Sequence, residues 1–209
     1  MAGHFITLEG GEGAGKTTLI DGIARALEAQ GQKVIKTREP GGTPGAEAIR
    51  DLLVNGPVDR WSPTAEALLF YAARVDHVDR VIRPNVAAGN WVLCDRFADS
   101  TRAYQGAAGG ISADRLDALH RMALERFEPD LTLVIDIDPM EGLERAWARG
   151  EAETRFEAKG QTFHERLRQG FLDIAHDNPG RCAVIDGGQA AGDVLSAALD
   201  VFRDRFGAP

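Results

Sequence analysis

Sulfur is scarce in this chain. Its 209 residues include two cysteines, Cys94 and Cys182, which form neither a C-x-x-C pair nor a dense framework. A disulfide scaffold is excluded, leaving at most one bridge, and a reduced, cytoplasmic setting is expected. Long apolar runs are missing as well. No stretch approaches the roughly 20 residues that cross a bilayer, and Met1 to Gly10 lacks a basic region followed by an apolar run, so a soluble, unprocessed chain with no membrane partner is expected. Basic residues are outnumbered: 24 Lys and Arg face 32 Asp and Glu, a formal charge of −8 that opposes general binding to DNA, RNA or an anionic surface. Any anion site has to be built locally. The five histidines show no metal-ligand spacing, His164-Glu165 lacks the second His of a zinc-protease pattern, and no G-x-S-x-G elbow occurs. Repeats, low-complexity tracts and Pro/Ser linkers are absent, so residues 1–209 are read as one domain.

What is present is an alternation. Phe5 to Glu9 is an apolar run ending in glycines, and Leu19, Ile20, Ile23, Ala24 and Leu27 follow at helical spacing. Lys33 to Thr37 reads as a second strand. Glu39 to Gly45, with Pro40, Gly41, Gly42 and Pro44, reads as a loop. Ser62 is a candidate N-cap and Pro63 a first helical residue; Leu68, Tyr71, Val75, Val78 and Ile82 form a buried stripe up to about Pro84. Trp91 to Asp95 and Leu131 to Asp136 read as inner strands, and Cys182 to Asp186 as the last one. Leu116, Leu119, Ala123 and Phe127 make a further helix stripe, as do Phe163, Leu167, Phe171 and Ile174, and then Leu195, Leu199, Phe202 and Phe206. The pattern predicts an α/β fold, a five-stranded parallel sheet with helices on both faces, whose functional residues follow Glu9, Thr37, Cys94 and Ile135 at the carboxyl ends of the strands.

Gly10-Gly11-Glu12-Gly13-Ala14-Gly15-Lys16-Thr17 fits G-x-x-x-x-G-K-[ST] between a strand and a helix, the P-loop context. Glycines let backbone N–H groups converge on phosphate oxygens, the helix adds its positive end, Lys16 a cation and Thr17 a hydroxyl for Mg²⁺. Asp95 and Arg96, alone, would serve equally as a surface ion pair. Beside the glycine loop they read as a Mg²⁺-shell acid and a phosphoryl-binding guanidinium, and Arg38 opens on the same sheet edge. Phe70 and Arg74 are four apart and share a helix face able to stack on and hydrogen-bond a base, although an aromatic on a helix more often serves packing. Thr101, Tyr104 and Gln105 form a polar group in a stretch that Gly106, Gly109 and Gly110 are expected to keep free of helix. Arg145, Arg149 and Arg155 surround Gly150 and a charged segment, Glu151 to Lys159, which alone reads as a solvated helix end. Because no Arg or Lys lies in Gly11 to Ala14, it also reads as a mobile arginine-bearing lid, at about 147–160, that supplies the missing charge and excludes water.

Several stretches carry a family resemblance: FITLEGGEGAGKTT (5–18), TREPGGTPGAEAIR (37–50), ALLFYAAR (67–74), VLCDRFADSTRAYQG (92–106), PDLTLVIDIDP (129–139) and 148–171. In this order they resemble the thymidylate kinases of the bacterial type, and the resemblance spans nearly the whole chain. It implies the P-loop NTPase fold and transfer of the terminal phosphoryl of ATP to dTMP, giving dTDP and ADP for dTTP synthesis. It implies that Gly10, Gly11, Glu12, Gly13, Ala14, Gly15, Lys16, Thr17 and Thr18 bind ATP, with Mg²⁺ at Thr17 and Asp95. Lys16, Arg96, Arg149 and Arg155 would be catalytic. Glu12, Arg38, Arg50, Phe70, Arg74, Arg96, Thr101, Tyr104 and Gln105 would bind dTMP. Phe70 would stack on thymine, Arg74 read its edge, Tyr104 crowd the sugar 2′ position, and the Asp186 to Gln189 turn lie near adenine. A homodimer is implied too. The rivals are another nucleoside monophosphate kinase, or a nucleotide-dependent switch, which the missing N-K-x-D signature disfavours.

Overall fold

A computed structural model describes residues 3–148, 156 and 159–207. The apolar runs form β1 (His4–Glu9), β2 (Val34–Arg38), β3 (Trp91–Asp95), β4 (Leu131–Asp136) and β5 (Cys182–Asp186). Between and after them run α1 (Lys16–Ala29), α2 (Pro44–Val54), α3 (Pro63–His77), α4 (Arg83–Ala87), α5 (Ala98–Thr101), α6 (Ala113–Leu124), α7 (Pro139–Ala148), α8 (Gln161–Asp177) and α9 (Ala191–Phe206). The strands are parallel in the order β2-β3-β1-β4-β5. β2 and β3 lie on one side of β1, β4 and β5 on the other, so the strand order reverses at β1 and a crevice opens beyond its carboxyl end, where the glycine loop begins.

The pleat sends alternate residues to opposite faces. Ile6, Leu8, Leu93, Leu133 and Ile135 bury against α1 and α9, where Phe202 lies with its centroid 5.8 Å from that of Trp91. Phe5, Val92 and Cys94 pack with residues of α3 and α6, and Val134 and Cys182 with α8. Truncating a fully buried ring such as Phe202 to Ala costs roughly 3–5 kcal/mol.

Five expectations need correction. The loop over 39–45 ends early: Thr43 caps α2, its Oγ1 accepting from Ala46 N at 3.0 Å, and Pro44 takes a first-turn position where its missing N–H is not needed. α3 starts as read, with Ser62 Oγ accepting from Ala65 N at 3.4 Å, but helical structure continues past Pro84. A π turn (Val78–Ile82) leads into α4, and this widened turn accommodates a residue that has no N–H to donate. Leu68, placed in the buried stripe, is half exposed, because the first turns of α3 face inward with Glu66 and Ala67. The stretch carrying Thr101, Tyr104 and Gln105 is helical, running from α5 into a second π turn (Arg102–Ala107). Gly106 serves close packing there, since a Cβ would come within 3.0 Å of Leu116 Cδ1. Phe127 lies beyond α6, although it packs on the same cluster as Leu119 and Ala123.

Candidate active site

The glycine loop is shaped by close approach as much as by turning. Gly10, Gly13 and Gly15 have φ of 137°, 66° and 86°, and a Cβ on Gly13 would lie 1.8 Å from the Gly142 carbonyl oxygen. α1 starts at Lys16, whose Nζ donates to Gly10 O at 3.2 Å and Gly11 O at 2.8 Å, so the ammonium lies over the loop. Burial first, then the neighbouring Arg96, push the Lys16 amine down to about 8, against the pull of Asp95, Glu12 and Glu9. Thr17 Oγ1 donates to Asp95 Oδ2 at 3.2 Å, which brings the two expected metal ligands together. A hydroxyl and one carboxylate are hard oxygen donors that suit Mg²⁺ with most of its shell left to phosphate and water.

β3 ends in the Asp95-Arg96-Phe97 corner. Arg96 has φ of 71°, a left-handed conformation costing a non-glycine residue about 1 kcal/mol or more. Its surroundings hold it there. Arg96 N donates to Leu8 O at 3.0 Å, while Glu9, fully buried at the end of β1, accepts from Phe97 N at 2.7 Å, Ser100 N at 3.2 Å and Ser100 Oγ at 2.6 Å. The guanidinium is thereby aimed at the loop, donating through Nη1 to Gly10 O at 2.9 Å and through Nη2 to Glu12 Oε1 at 3.2 Å. Tyr104 OH donates to the same Glu12 oxygen at 2.6 Å.

The two glutamates diverge in consequence. Burial lifts Glu9 to about 7, helped by Asp99 and partly offset by Ser100 and Arg96. Burial works the same way on Glu12, but Arg96, Lys16 and the Tyr104 hydroxyl outweigh it and hold Glu12 down to about 2.

Beside this corner a cleft is lined by Arg38, Arg50, Phe70, Arg74, Arg96, Thr101, Tyr104 and Gln105, together with Glu39, Pro40, Phe97, Ser100 and Phe156. Arg74 is buried. Its Nε donates to Glu39 Oε2 at 2.7 Å, Nη1 to Thr101 Oγ1 at 3.2 Å and Nη2 to Phe97 O at 2.9 Å, and its guanidinium carbon sits 4.6 Å from the centroid of the Tyr71 ring. Five N–H groups less three leave one on each Nη for a ligand. Arg50 Nη1 donates to Pro40 O at 2.8 Å, Arg38 pairs with Glu47 at 3.1 Å, and Gln105 Nε2 donates to Glu66 Oε1 at 2.8 Å. A second cleft on the other side of the loop is lined by Gly13, Gly15, Thr18, Arg145, Gly187 and Gln189, among others. There Arg145 Nη1 donates to Gly187 O at 2.9 Å, and Asp186 accepts from Gly188 N and Gln189 Nε2.

Comparison with known proteins bears on this arrangement. The family model described as thymidylate kinase matches residues 8–197. Curated proteins named thymidylate kinase are similar throughout: that of Caulobacter vibrioides is 58% identical over 205 residues, covering 98% of each chain. That of Ruegeria pomeroyi is 50% identical over 199 residues, covering 95% of this chain and 92% of its own. The chain belongs to the thymidylate kinase family. The crystal structure of thymidylate kinase from Ehrlichia chaffeensis superposes with a TM-score of 0.79 at 35% identity, over 97% of this chain and 100% of the other.

Every dTMP-site residue expected from the thymidylate kinase resemblance lines the first cleft except Glu12, which reaches it through Arg96 and Tyr104. Arg149 and Arg155, and most of the expected lid, lie outside the described residues. Phe156 is described, buried with its ring 5.5 Å from that of Tyr104 and 6.2 Å from that of Phe70. Sequence reasoning missed Glu9, Glu39 and Ser100, and grouped Arg145 with the lid although it lies in α7 against Gly187. Glu9 did carry a signal, an acid closing an apolar strand directly before a phosphate loop. Glu39 carried none, because its partner Arg74 is 35 residues away and only the fold joins them.

Proposed function

We propose that the two clefts hold two nucleotides head to head across Arg96, the donor over the glycine loop and the acceptor against Arg74. The reaction is phosphorylation of dTMP by ATP to give dTDP and ADP. The observation that carries this reading is the position of Arg96, bonded to the loop through Gly10 and Glu12 while also lining the acceptor cleft. Backbone N–H groups of Gly13 to Thr18 and the Lys16 ammonium bind the ATP phosphates at the start of α1. Arg96 spans donor and acceptor phosphates and stabilises charge in transfer. Thr17 and Asp95 would hold Mg²⁺, which supplies charge neutralisation on the phosphates.

In the acceptor cleft Phe70 stacks on thymine, the free Nη hydrogens of Arg74 bind its carbonyl edge, and Thr101 and Gln105 complete the base pocket. Arg38 and Arg50 face the dTMP phosphate. Glu12, an ionised acceptor beside Tyr104, takes the sugar 3′-hydroxyl, and the Tyr104 ring crowds the 2′ position. In-line transfer then needs positioning and electrostatics, with no covalent enzyme intermediate. Arg149 and Arg155 complete the charge from the lid, at about 147–160, of a single domain over 1–209. The Asp186 to Gln189 turn borders adenine.

A homodimer is part of this reading. The exposed Leu52 on α2, Leu68 on α3 and Met122 on α6 are apolar side chains available for its interface, and sedimentation at graded concentrations tests it. Among the described residues no helix is long and apolar enough to cross a membrane, and both cysteines are free and buried, which supports a reducing, cytoplasmic location. The deciding experiment is ADP release with Mg²⁺-ATP across dTMP, dUMP, CMP, UMP, AMP and GMP. Turnover concentrated on dTMP supports the reading. ADP release indifferent to the acceptor overturns it.

A further inference from the structure

One buried polar chain behind the acceptor cleft has no part in this scheme. His77, at the end of α3 and 0% exposed, places Nδ1 3.2 Å from Glu39 Oε1 and Nε2 2.7 Å from Thr37 Oγ1. The other Glu39 oxygen, Oε2, accepts from Arg74 Nε at 2.7 Å. A carboxylate offers only acceptors, so Nδ1 is the donor to Glu39; Nε2 accepts from the Thr37 hydroxyl when the ring is neutral and donates to its oxygen when the ring is charged. Either way the ring is tied at both nitrogens, and both oxygens of Glu39 are committed. A single contact would neutralise Arg74. The second oxygen, tied through an imidazole to the end of β2, fixes the orientation of the carboxylate, and with it the direction from which Arg74 Nε is held, while Thr101 and Phe97 O take one hydrogen from each Nη.

We infer that His77 is a positioning residue for base recognition: held by Thr37, it locks Glu39, which fixes how Arg74 is held so that the free Nη hydrogens meet a base edge carrying a carbonyl rather than an amino group. The inference rests on the reading that Arg74 contacts the acceptor base. A guanidinium has donors only, so an amino group in that place leaves donor facing donor. If the carboxylate can rotate, the hold on Arg74 Nε loosens, and the preference relaxes without any change at the glycine loop.

The test compares His77→Gln, His77→Asn, Thr37→Val, Thr37→Ser and Arg74→Lys by steady-state kinetics with dTMP, dCMP and ATP. The amide nitrogen of Asn falls where Nδ1 stands and keeps the bond to Glu39; that of Gln falls nearer Nε2 and loses it. His77→Gln is expected to raise KM for dTMP about tenfold and narrow the preference for dTMP over dCMP, with KM for ATP within about twofold, because one hydrogen bond to a charged group is lost. His77→Asn is expected to stay within about threefold for every substrate by retaining that bond. Simple packing predicts the reverse order, since Gln is closer to His in volume. Gln equal to or better than Asn, or a parallel rise in KM for ATP, overturns the inference. Should either His77 variant fail to fold, the partly buried Thr37 carries the test: Thr37→Val raises KM for dTMP and Thr37→Ser keeps it near the unaltered value, and equal values for the two overturn the inference. Arg74→Lys separates the two layers. Unchanged KM for dTMP in Arg74→Lys removes the base-reading role itself, whereas a rise there with none in His77→Gln removes only the role of His77.

Discussion

The donor and acceptor sides of this site meet at Arg96 but are made from opposite materials. The donor side is backbone: three glycines at positive φ, a helix start, and one ammonium resting on two carbonyls. The acceptor side is side chain, assembled from the end of β2, α2, α3, the corner after β3 and the π turn at Arg102–Ala107, with Arg74 buried among three acceptors. Phosphates are alike in every nucleotide and can be bound by backbone dipoles. A base has to be told from other bases, which takes donors fixed in direction.

The largest expected effect breaks the donor side alone. Lys16→Ala should lower kcat by about 10³-fold, the scale of a lost charge at the transferring group, while dTMP binding measured by calorimetry stays within about twofold. The fold should persist, since among the described residues Lys16 hydrogen-bonds only to the Gly10 and Gly11 carbonyls. Full activity in this variant would take the glycine loop out of the mechanism.

Glu9 lies at the seam, and its effect is on stability. Its folded value of about 7 stands above the ordinary 4.5, so the folded state holds an extra proton between those limits. The contribution is present in full below about pH 4.5 and is lost as pH rises through 7, a drop of about 3 kcal/mol. Glu9→Gln preserves the contacts, because its oxygen accepts from Phe97 N and Ser100 N while its amide donates to Ser100 Oγ. Urea unfolding at pH 5 and pH 8 should therefore show a larger fall in the unaltered chain than in Glu9→Gln. Equal falls would mean that Glu9 is ionised at neutral pH.

The acceptor side breaks with Arg74→Lys. The ammonium keeps the charge beside Glu39 but cannot reproduce a planar fork spanning Glu39, Thr101, Phe97 and a ligand at once. KM for dTMP should rise about 30-fold, roughly 2 kcal/mol for lost charge-assisted hydrogen bonds, with KM for ATP unchanged. Equal rises in both would dissolve the distinction between the two sides.

The same contrast explains what could be read from the chain alone. Glycine spacing between an apolar run and a helical stripe dictates the phosphate loop locally, so Gly10 to Thr17 needed no tertiary knowledge. The strands were legible for a similar reason, since β3 and β4 are buried on both faces and read as largely apolar runs, each closed by an aspartate. α2 was invisible because it buries only Ala46 and Leu53, too few to make a stripe. Spacing left Phe70 and Arg74 open between packing and recognition; Arg74 lines the cleft and is also packed on the Tyr71 ring. Gly106 misled for a physical reason, whereas Gly109 and Gly110 do mark where this helical stretch ends, Gly110 with φ of 84°. A glycine required by close helix packing and one required by a turn are the same letter.

The smallest expected effect separates the two sides by pH. In the free protein the Lys16 amine, pushed down by burial and Arg96, loses its proton around pH 8, so the charged form that binds phosphate is present below that pH and disappears above it. kcat/KM for ATP should then fall by about tenfold per pH unit above 8, since this quantity reports groups of the free enzyme. ATP phosphates stabilise the ammonium, so kcat at saturating ATP should hold to higher pH. kcat/KM for dTMP at saturating ATP should also hold, because Arg74 and Arg96 stay charged throughout, their buried guanidiniums pushed further up by Glu39 and by Glu12 with Tyr104. Two coincident alkaline limbs would show that one titration governs both nucleotides, and that the backbone-built and side-chain-built sides are not electrostatically independent.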